Sequence, residues 1–267
     1  MEPPAFIDPA AVARQLALRG RDCRVEFVAS TGSTNSDLVA RCRTARPLRP
    51  VLRATAHQSA GRGRLGRPWL AAPGSALLFS IAVPLDAPPA AVPAVTLACG
   101  VALAEACRER GVAVAIKWPN DVWLDGRKLA GVLSELAVDD HGGRSLIVGV
   151  GINLALDAAT RAEIDAPAAA LADALPGQPV AGDWLAAFAA ALLAAIDQYL
   201  KTGLAPFAAR WAGLDAMKDC KVLVRLGDAV IARGIARGID AHGRLLIDDA
   251  GTLTAISAGD VSLRAAG

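Results

Sequence analysis

Near residue 214 the texture of the chain changes, and that change limits what it can fold into. Downstream, segments 221–226, 229–239, 244–247, 252–256 and 261–264 are short β-prone runs. Gly227-Asp228, His242-Gly243, Ala250-Gly251 and Gly259-Asp260 separate them as turn pairs. Short strands at this spacing predict a small all-β barrel. Upstream, strands alternate with helices, so the sequence divides into a larger unit, 1–213, and a small one, 214–267.

In the larger unit, Asp8-Pro9 predicts the cap and first residue of a helix that Gly20 closes. Segment 25–29 alternates as a strand. Thr34-Asn35-Ser36-Asp37 then has capping-box spacing, which places Ser33 and Thr34 at a strand-to-helix junction. Segments 51–57 and 77–83 read as strands, the second buried, and 95–110 as an apolar helix. Strands 112–118 and 122–124 flank Pro119-Asn120-Asp121, and Asp125-Gly126 signals a hairpin leading into 128–138. His141-Gly142-Gly143 turns the chain into 145–154, and 157–213 is rich in helix. The pattern is α+β, a mixed β-sheet with flanking helices.

Composition excludes several classes. Hydrophobic residues make up 54% and charged residues 20%, so the chain buries a core and is not disordered. Lys+Arg number 28 against 26 Asp+Glu, and a net charge of +2 argues against a surface built wholly for nucleic acid. Prolines 88, 89 and 93 break the uncharged stretch 87–104, and apolar run 185–196 is too short to span a bilayer. The start, MEPPAFIDPA, carries no signal-peptide pattern. Cys23, Cys42, Cys99, Cys107 and Cys220 contain no CxxC pair and read as buried, reduced thiols of a cytoplasmic protein. With His57, His141 and His242 scattered, no fixed metal centre is expected.

Chemistry concentrates in three segments. Gly61-Arg62-Gly63-Arg64-Leu65-Gly66-Arg67-Pro68-Trp69 formally matches GxGxxG, but Pro68, Pro73-Gly74 and a β-like run follow where a dinucleotide site needs a helix. It also imitates a P-loop, with Arg67-Pro68 in place of Lys-Ser/Thr. Its physical content is backbone freedom beside three guanidinium groups suited to phosphate or carboxylate. Taken alone, a solvated basic loop explains it equally well. Lys117 ends an apolar strand and Lys128 begins the next, so both ammonium groups can face one cleft, although two strand-end lysines in water give the same pattern. In Gly149-Val150-Gly151-Ile152-Asn153, glycines inside a strand imply a bulge, or a ligand or another backbone pressed against that face.

In this order, Ser33-Thr34-Asn35, Gln58 to Arg67, Lys117-Trp118-Pro119-Asn120-Asp121, Lys128-Leu129-Ala130-Gly131 and Gly149 to Asn153 resemble the motifs of biotin–protein ligases. Segment 234–246 is similar to that family's SH3-like C-terminal domain. The resemblance implies a catalytic unit of the class II synthetase/biotin–lipoate ligase type plus an SH3-like β-barrel. It implies activation of biotin by ATP with Mg²⁺ to biotinyl-5′-AMP, then transfer to a lysine of a biotin carboxyl carrier domain. Only 32 residues precede Ser33, so the short form without a DNA-binding domain is expected. A homodimer is left open.

The resemblance assigns Arg62, Lys117 and Lys128 to catalysis. Biotin falls to Ser33, Thr34, Asn35, Gln58, Gly61, Arg62, Gly63, Arg64, Lys128, Gly131, Gly149 and Gly151. ATP or adenylate falls to Arg62, Arg64, Arg67, Trp69, Lys117, Asn120, Asp121, Lys128 and Asn153, with Mg²⁺ arriving on the nucleotide. Leu65 stands where some relatives have a further arginine. The arginine loop is expected to be mobile without an anion and to close on one. A lipoate-type ligase and a nucleic-acid-binding protein using Arg62–Arg67 are the alternatives.

Overall fold

The computed structural model describes residues 7–86, 92–164, 166–258 and 261–265. The signal-peptide reading of the first six residues, part of the 87–104 stretch and the Gly259-Asp260 turn lie outside the described residues.

The larger sheet has seven strands: β1 (Arg24–Thr31), β2 (Val51–Gln58), β3 (Ala76–Leu85), β4 (Val114–Lys117), β5 (Asp121–Leu124), β6 (Arg127–Val138) and β7 (Arg144–Asn153). Their order is β1-β2-β3-β7-β6-β5-β4, with β1 and β2 parallel and the other neighbours antiparallel. Strand alternation splits β3 between two layers. Leu77, Phe79, Ile81 and Val83 join the main core, whereas Ala82 joins a smaller cluster with Leu38, Val39, Cys42 and Ile147. A strand covered on both faces reads as one apolar run, which is why 77–83 is legible as buried.

The main core lies beneath α1 (Pro9–Leu18), α3 (Val92–Arg108) and α5 (Ala181–Thr202). In α5, alanine favours the helix, Asp183 sits in the first turn, and Gly203 ends it at φ +69°. Trp184, Phe188, Leu192 and Ile196 form its buried stripe at four-residue spacing. By length and composition α5 could cross a membrane, but here it is a core helix packed on α1 and α3. The apolar run thus belongs to a 22-residue helix, longer than the sequence pattern suggests.

On the opposite face lies α2 (Thr34–Thr44), against β3, β6 and β7. Its cap is Ser33, extended at φ −160°, whose hydroxyl accepts from Ser36 N at 3.4 Å. The capping box expected from Thr34 to Asp37 is not used. Asp37 instead accepts from Thr31 Oγ1 and from Arg53 Nε, both at 2.7 Å. The junction itself stands as read. At the Asp125-Gly126 hairpin both residues are left-handed, with φ of 49° and 73°.

Two further helices, α4 (Ala158–Glu163) and α6 (Ala205–Ala212), lead to the second sheet. On the way, Ile116 N donates to Leu214 O, and Asp215 bridges β4 in parallel. The second sheet holds β8 (Lys221–Leu226), β9 (Ala229–Ile239), β10 (Leu245–Asp249), β11 (Thr252–Ile256) and β12 (Val261–Ala265). Its order is β11-β10-β9-β8-β12, all antiparallel. The expected barrel takes the form of an open five-stranded sheet: among the described residues no ladder closes β11 onto β12.

The second sheet is docked through a tight turn. Trp118, 2% exposed, donates its indole N–H to Gly243 O at 3.0 Å. Gly243 has φ +78°, and a Cβ there would lie 2.5 Å from Leu97 Cδ1 and 3.1 Å from Leu204 Cδ2. Gly243→Ala should therefore destabilise the whole chain by about 1–3 kcal/mol through overpacking and a disfavoured backbone. Urea unfolding measures this, and unchanged stability would show that the turn is not fixed against the larger unit.

Candidate active site

The floor of the site is made by missing side chains. Alternation on β6 puts Gly131, Leu133 and Glu135 on the face under α2, and on β7 it does the same for Gly149 and Gly151. In register, Gly131 lies opposite Gly151 and Leu133 opposite Gly149, with Ser80 of β3 beside Gly149. Where a ligand or another backbone was expected against the glycine strand, the structure places the side chains of Trp69 and Asn35. A Cβ at Gly151 would lie 2.6 Å from Trp69 Cε2, one at Gly131 would lie 3.4 Å from Trp69 Cζ3, and one at Gly149 would lie 2.6 Å from Asn35 Oδ1.

The glycine–arginine segment folds back on itself as a loop. Gly63 N donates to Arg67 O at 2.8 Å and Trp69 N to Gly61 O at 2.9 Å, with Arg62 and Pro68 bridged. The reversal uses φ of 59° at Leu65 and 69° at Gly66. No helix follows Trp69, so both phosphate-loop readings fail structurally as they do by pattern. Leu65, in the position of a relative's arginine, is 46% exposed.

An inner cavity of about 40 Å³ is lined by Ser33, Thr34, Asn35, Gln58, Arg62, Gly63, Trp69, Lys128, Gly131, Gly149 and Gly151, together with Ser80 and Leu133. Thr34 donates to Gln58 Oε1 from its backbone at 2.8 Å and from its hydroxyl at 3.1 Å. The Thr34 and Ser80 hydroxyls are 2.8 Å apart. Gln58 spends its oxygen on Thr34 and keeps its amide N–H groups as donors. Of the residues assigned to this pocket from the sequence, Gly61 and Arg64 do not line it. Gly61 is pinned under the Trp69 backbone, and Arg64 reaches into the neighbouring cleft.

That outer cleft has a volume of about 470 Å³, within the range of small-molecule sites. Arg64, Arg67, Trp69, Lys117, Asn120, Asp121, Lys128 and Asn153 all line it, so the assigned nucleotide residues converge there except Arg62. Gly63, Trp69, Asn120 and Lys128 belong to both spaces and form the wall between them. Lys117, 7% exposed, holds its ammonium 4.5 Å from the Trp123 ring centroid. Lys128 Nζ pairs with Asp121 Oδ1 at 2.8 Å and stands 5.5 Å from the Trp69 ring. Its backbone is clamped by Lys128 N to Pro167 O at 2.9 Å and Ala169 N to Lys128 O at 2.8 Å.

Two of the residues assigned to the nucleotide act here as braces. Asn120 Nδ2 donates to Val132 O at 3.1 Å, and its Oδ1 accepts from Arg64 Nη1 at 3.3 Å. Asn153 Nδ2 donates to Ala169 O at 2.9 Å. Arg64 Nη2 also donates to Ala258 O, which ties the loop to the second sheet. Sequence reasoning missed Glu135. Arg62 Nη2 donates to both its carboxylate oxygens, at 3.2 and 3.3 Å, and Asn35 Nδ2 donates to Oε2. Its place four residues after Gly131 on one strand was the available signal. Arg62 and Arg64 are thus each tied to acceptors on the rest of the protein, although the Arg62 side chain stays 42% exposed.

Residues 27–153 match the Biotin/lipoate A/B protein ligase family, and residues 221–264 match the Biotin protein ligase C terminal domain. The biotin–[acetyl-CoA-carboxylase] ligase of Mycobacterium tuberculosis is 34% identical over 98% of this chain and 96% of its own length. The bifunctional ligase/repressor BirA of Escherichia coli is 37% identical over 79% of this chain, which spans 65% of that relative's length. The biotin protein ligase of Aquifex aeolicus, solved with biotin and ATP, superposes with a TM-score of 0.77 at 25% identity over 91% of this chain and 99% of that one. The chain therefore belongs to the biotin/lipoate A/B protein ligase family. Within it, the Mycobacterium tuberculosis and Aquifex aeolicus proteins are biotin ligases.

The contact between Trp69 and Gly151 gives a direct test of the floor. Gly151→Ala should cost about 1–3 kcal/mol in the natural background and close to nothing in Trp69→Ala. Denaturant unfolding of the four chains measures the coupling. Equal costs in both backgrounds would place the indole elsewhere.

Proposed function

We propose that this chain is an ATP-dependent biotin–protein ligase, which forms biotinyl-5′-AMP and passes biotin to a lysine of a biotin carboxyl carrier domain. The observation that supports it best is a small inner cavity and a large cationic cleft sharing one wall at Lys128. In this reading the inner cavity takes the biotin ring. Ser33, Thr34 and Gln58 supply hydroxyl and amide groups for its ureido edge, and the glycine floor leaves room for the bicycle. Because Trp69 rests on that floor, the ring enters only when the indole shifts into the outer cleft, where it can face adenine.

The first step forms a bond from the biotin carboxylate oxygen to the α-phosphorus of ATP, with pyrophosphate leaving. In the second, a carrier lysine amine attacks the mixed-anhydride carbonyl, AMP leaves and the amine sheds its proton. Neither step needs a protein nucleophile. The obstacle is bringing two anions together. At an effective dielectric of 20, a unit pair 4 Å apart repels by about 4 kcal/mol, roughly a thousandfold in rate. Arg62 at the inner cavity and Lys128 on the wall are placed to cancel that repulsion, with Lys117, Arg64 and Arg67 along the polyphosphate path. Mg²⁺ would travel with the nucleotide. The carrier domain is the expected macromolecular partner.

A cytoplasmic location belongs to the same reading. Cys23, Cys42, Cys99 and Cys107 are buried, as expected, but Cys220 is exposed. Burial pushes the Cys23, Cys99 and Cys107 thiols up to about 12, so they remain protonated and inert.

Biotin-dependent ATP–pyrophosphate exchange tests the function. Arg62→Ala and Lys128→Ala should each lower exchange by about 10²–10³-fold while the melting temperature stays close to that of the natural chain. Near-normal exchange in both folded variants would remove these residues from the reaction. Exchange supported by lipoate in place of biotin would overturn the substrate.

A further inference from the structure

Both cations beside the inner cavity hold carboxylates of the protein itself: Lys128 holds Asp121 and Arg62 holds Glu135. We propose that Glu135 is a resident counter-anion for Arg62, which the carboxylate of the bound acid must displace, so that it lowers affinity for the charged end of the ligand. This rests on the biotin reading of the inner cavity.

The geometry carries the assignment. Glu135 stands on β6 within the ladder to β7, opposite Ile147, so its backbone is held and cannot follow Arg62. Arg62, by contrast, belongs to the loop that closes the cavity. The contact uses only Arg62 Nη2, at 3.2 and 3.3 Å, and leaves the rest of the guanidinium fork for a second anion. The side chains are 42% and 29% exposed, so the pair is open to exchange rather than sealed. Glu135 also accepts from Asn35 Nδ2, which holds its carboxylate on the cavity side of β6. A ligand carboxylate reaching Arg62 therefore meets a like charge already on the same guanidinium. Without the inner cavity filled, that competition keeps small free anions off Arg62.

Titration calorimetry with biotin and with biotinol, its alcohol analogue, separates this role from a structural one. Glu135→Gln should tighten biotin about three- to tenfold, the worth of a partly exposed charged pair. Biotinol, which has no charge to compete, should change by less than about twofold. In an Arg62→Gln background, the same substitution should lose its preference for biotin. Glu135→Ala also removes the charge and is measured in parallel, so the result does not depend on one variant's folding. Weaker biotin binding, or an equal shift for both ligands, would make Glu135 a support for the loop and overturn the proposal. Failure of the natural chain to bind either ligand would instead overturn the biotin reading.

Discussion

The arrangement depends on a steric fact: β6 and β7 lack side chains where they pass beneath α2 and the arginine loop. With Gly131 opposite Gly151, and Gly149 beside Ser80, the sheet presents bare backbone to Trp69 and Asn35. A glycine in a strand gives up packing and conformational economy, about 0.5–1 kcal/mol each relative to alanine. What it makes possible is the close approach of an indole and an amide to the sheet plane. The opposite face of the same strands is Val148, Val150, Ile152, Ala130 and Val132, all in the main core. One face is therefore fixed by packing while the other stays thin.

That division lets polar and charged groups gather on a rigid frame. The first turn of α2 supplies Thr34 and Asn35 from a rigid element, and β6 supplies Glu135 from another. The remaining contribution comes from the loop, and its two inner arginines are anchored to different parts of the protein. Arg62 reaches Glu135 on the large sheet, and Arg64 reaches Asn120 and the Ala258 carbonyl beyond the small sheet. Their mutual repulsion, which the bare sequence suggests, is therefore relieved by separate acceptors. The second sheet is coupled to the site through Arg64, and to the core through Trp118 and Gly243.

Much of this was legible in the sequence because local signals agreed with tertiary demand. The turn residues Asp125-Gly126 and His141-Gly142-Gly143 located β6 and β7, and Asp8-Pro9 located α1. The small sheet's strands 221–226 and 229–239 were marked by their turns. The failures share a cause: each depended on partners outside the local pattern, from six to 194 positions away. Asp37 abandons a capping box because Thr31 and Arg53 offer it better hydrogen bonds. Gly61 and Arg64 leave the inner cavity because Trp69 and the second sheet claim them. Glu135 looks like an ordinary strand glutamate until Arg62, 73 positions earlier, is brought against it.

The same long-range pairing reconciles a nearly neutral composition with a site built for anions. A surplus of only two positive charges cannot mark a polyphosphate cleft. The cations are there, but Arg62 and Lys128 each carry an acidic partner supplied from the sheet. Both cations stay partly in water, with side chains 42% and 35% exposed, so each pair balances local charge while adding little to stability. Under the proposed function, the substrate anions would exchange with, or share, carboxylates already in place. A site organised this way keeps its charge balanced before the substrate arrives, and it responds to an anion through local replacement of partners rather than through a large excess field.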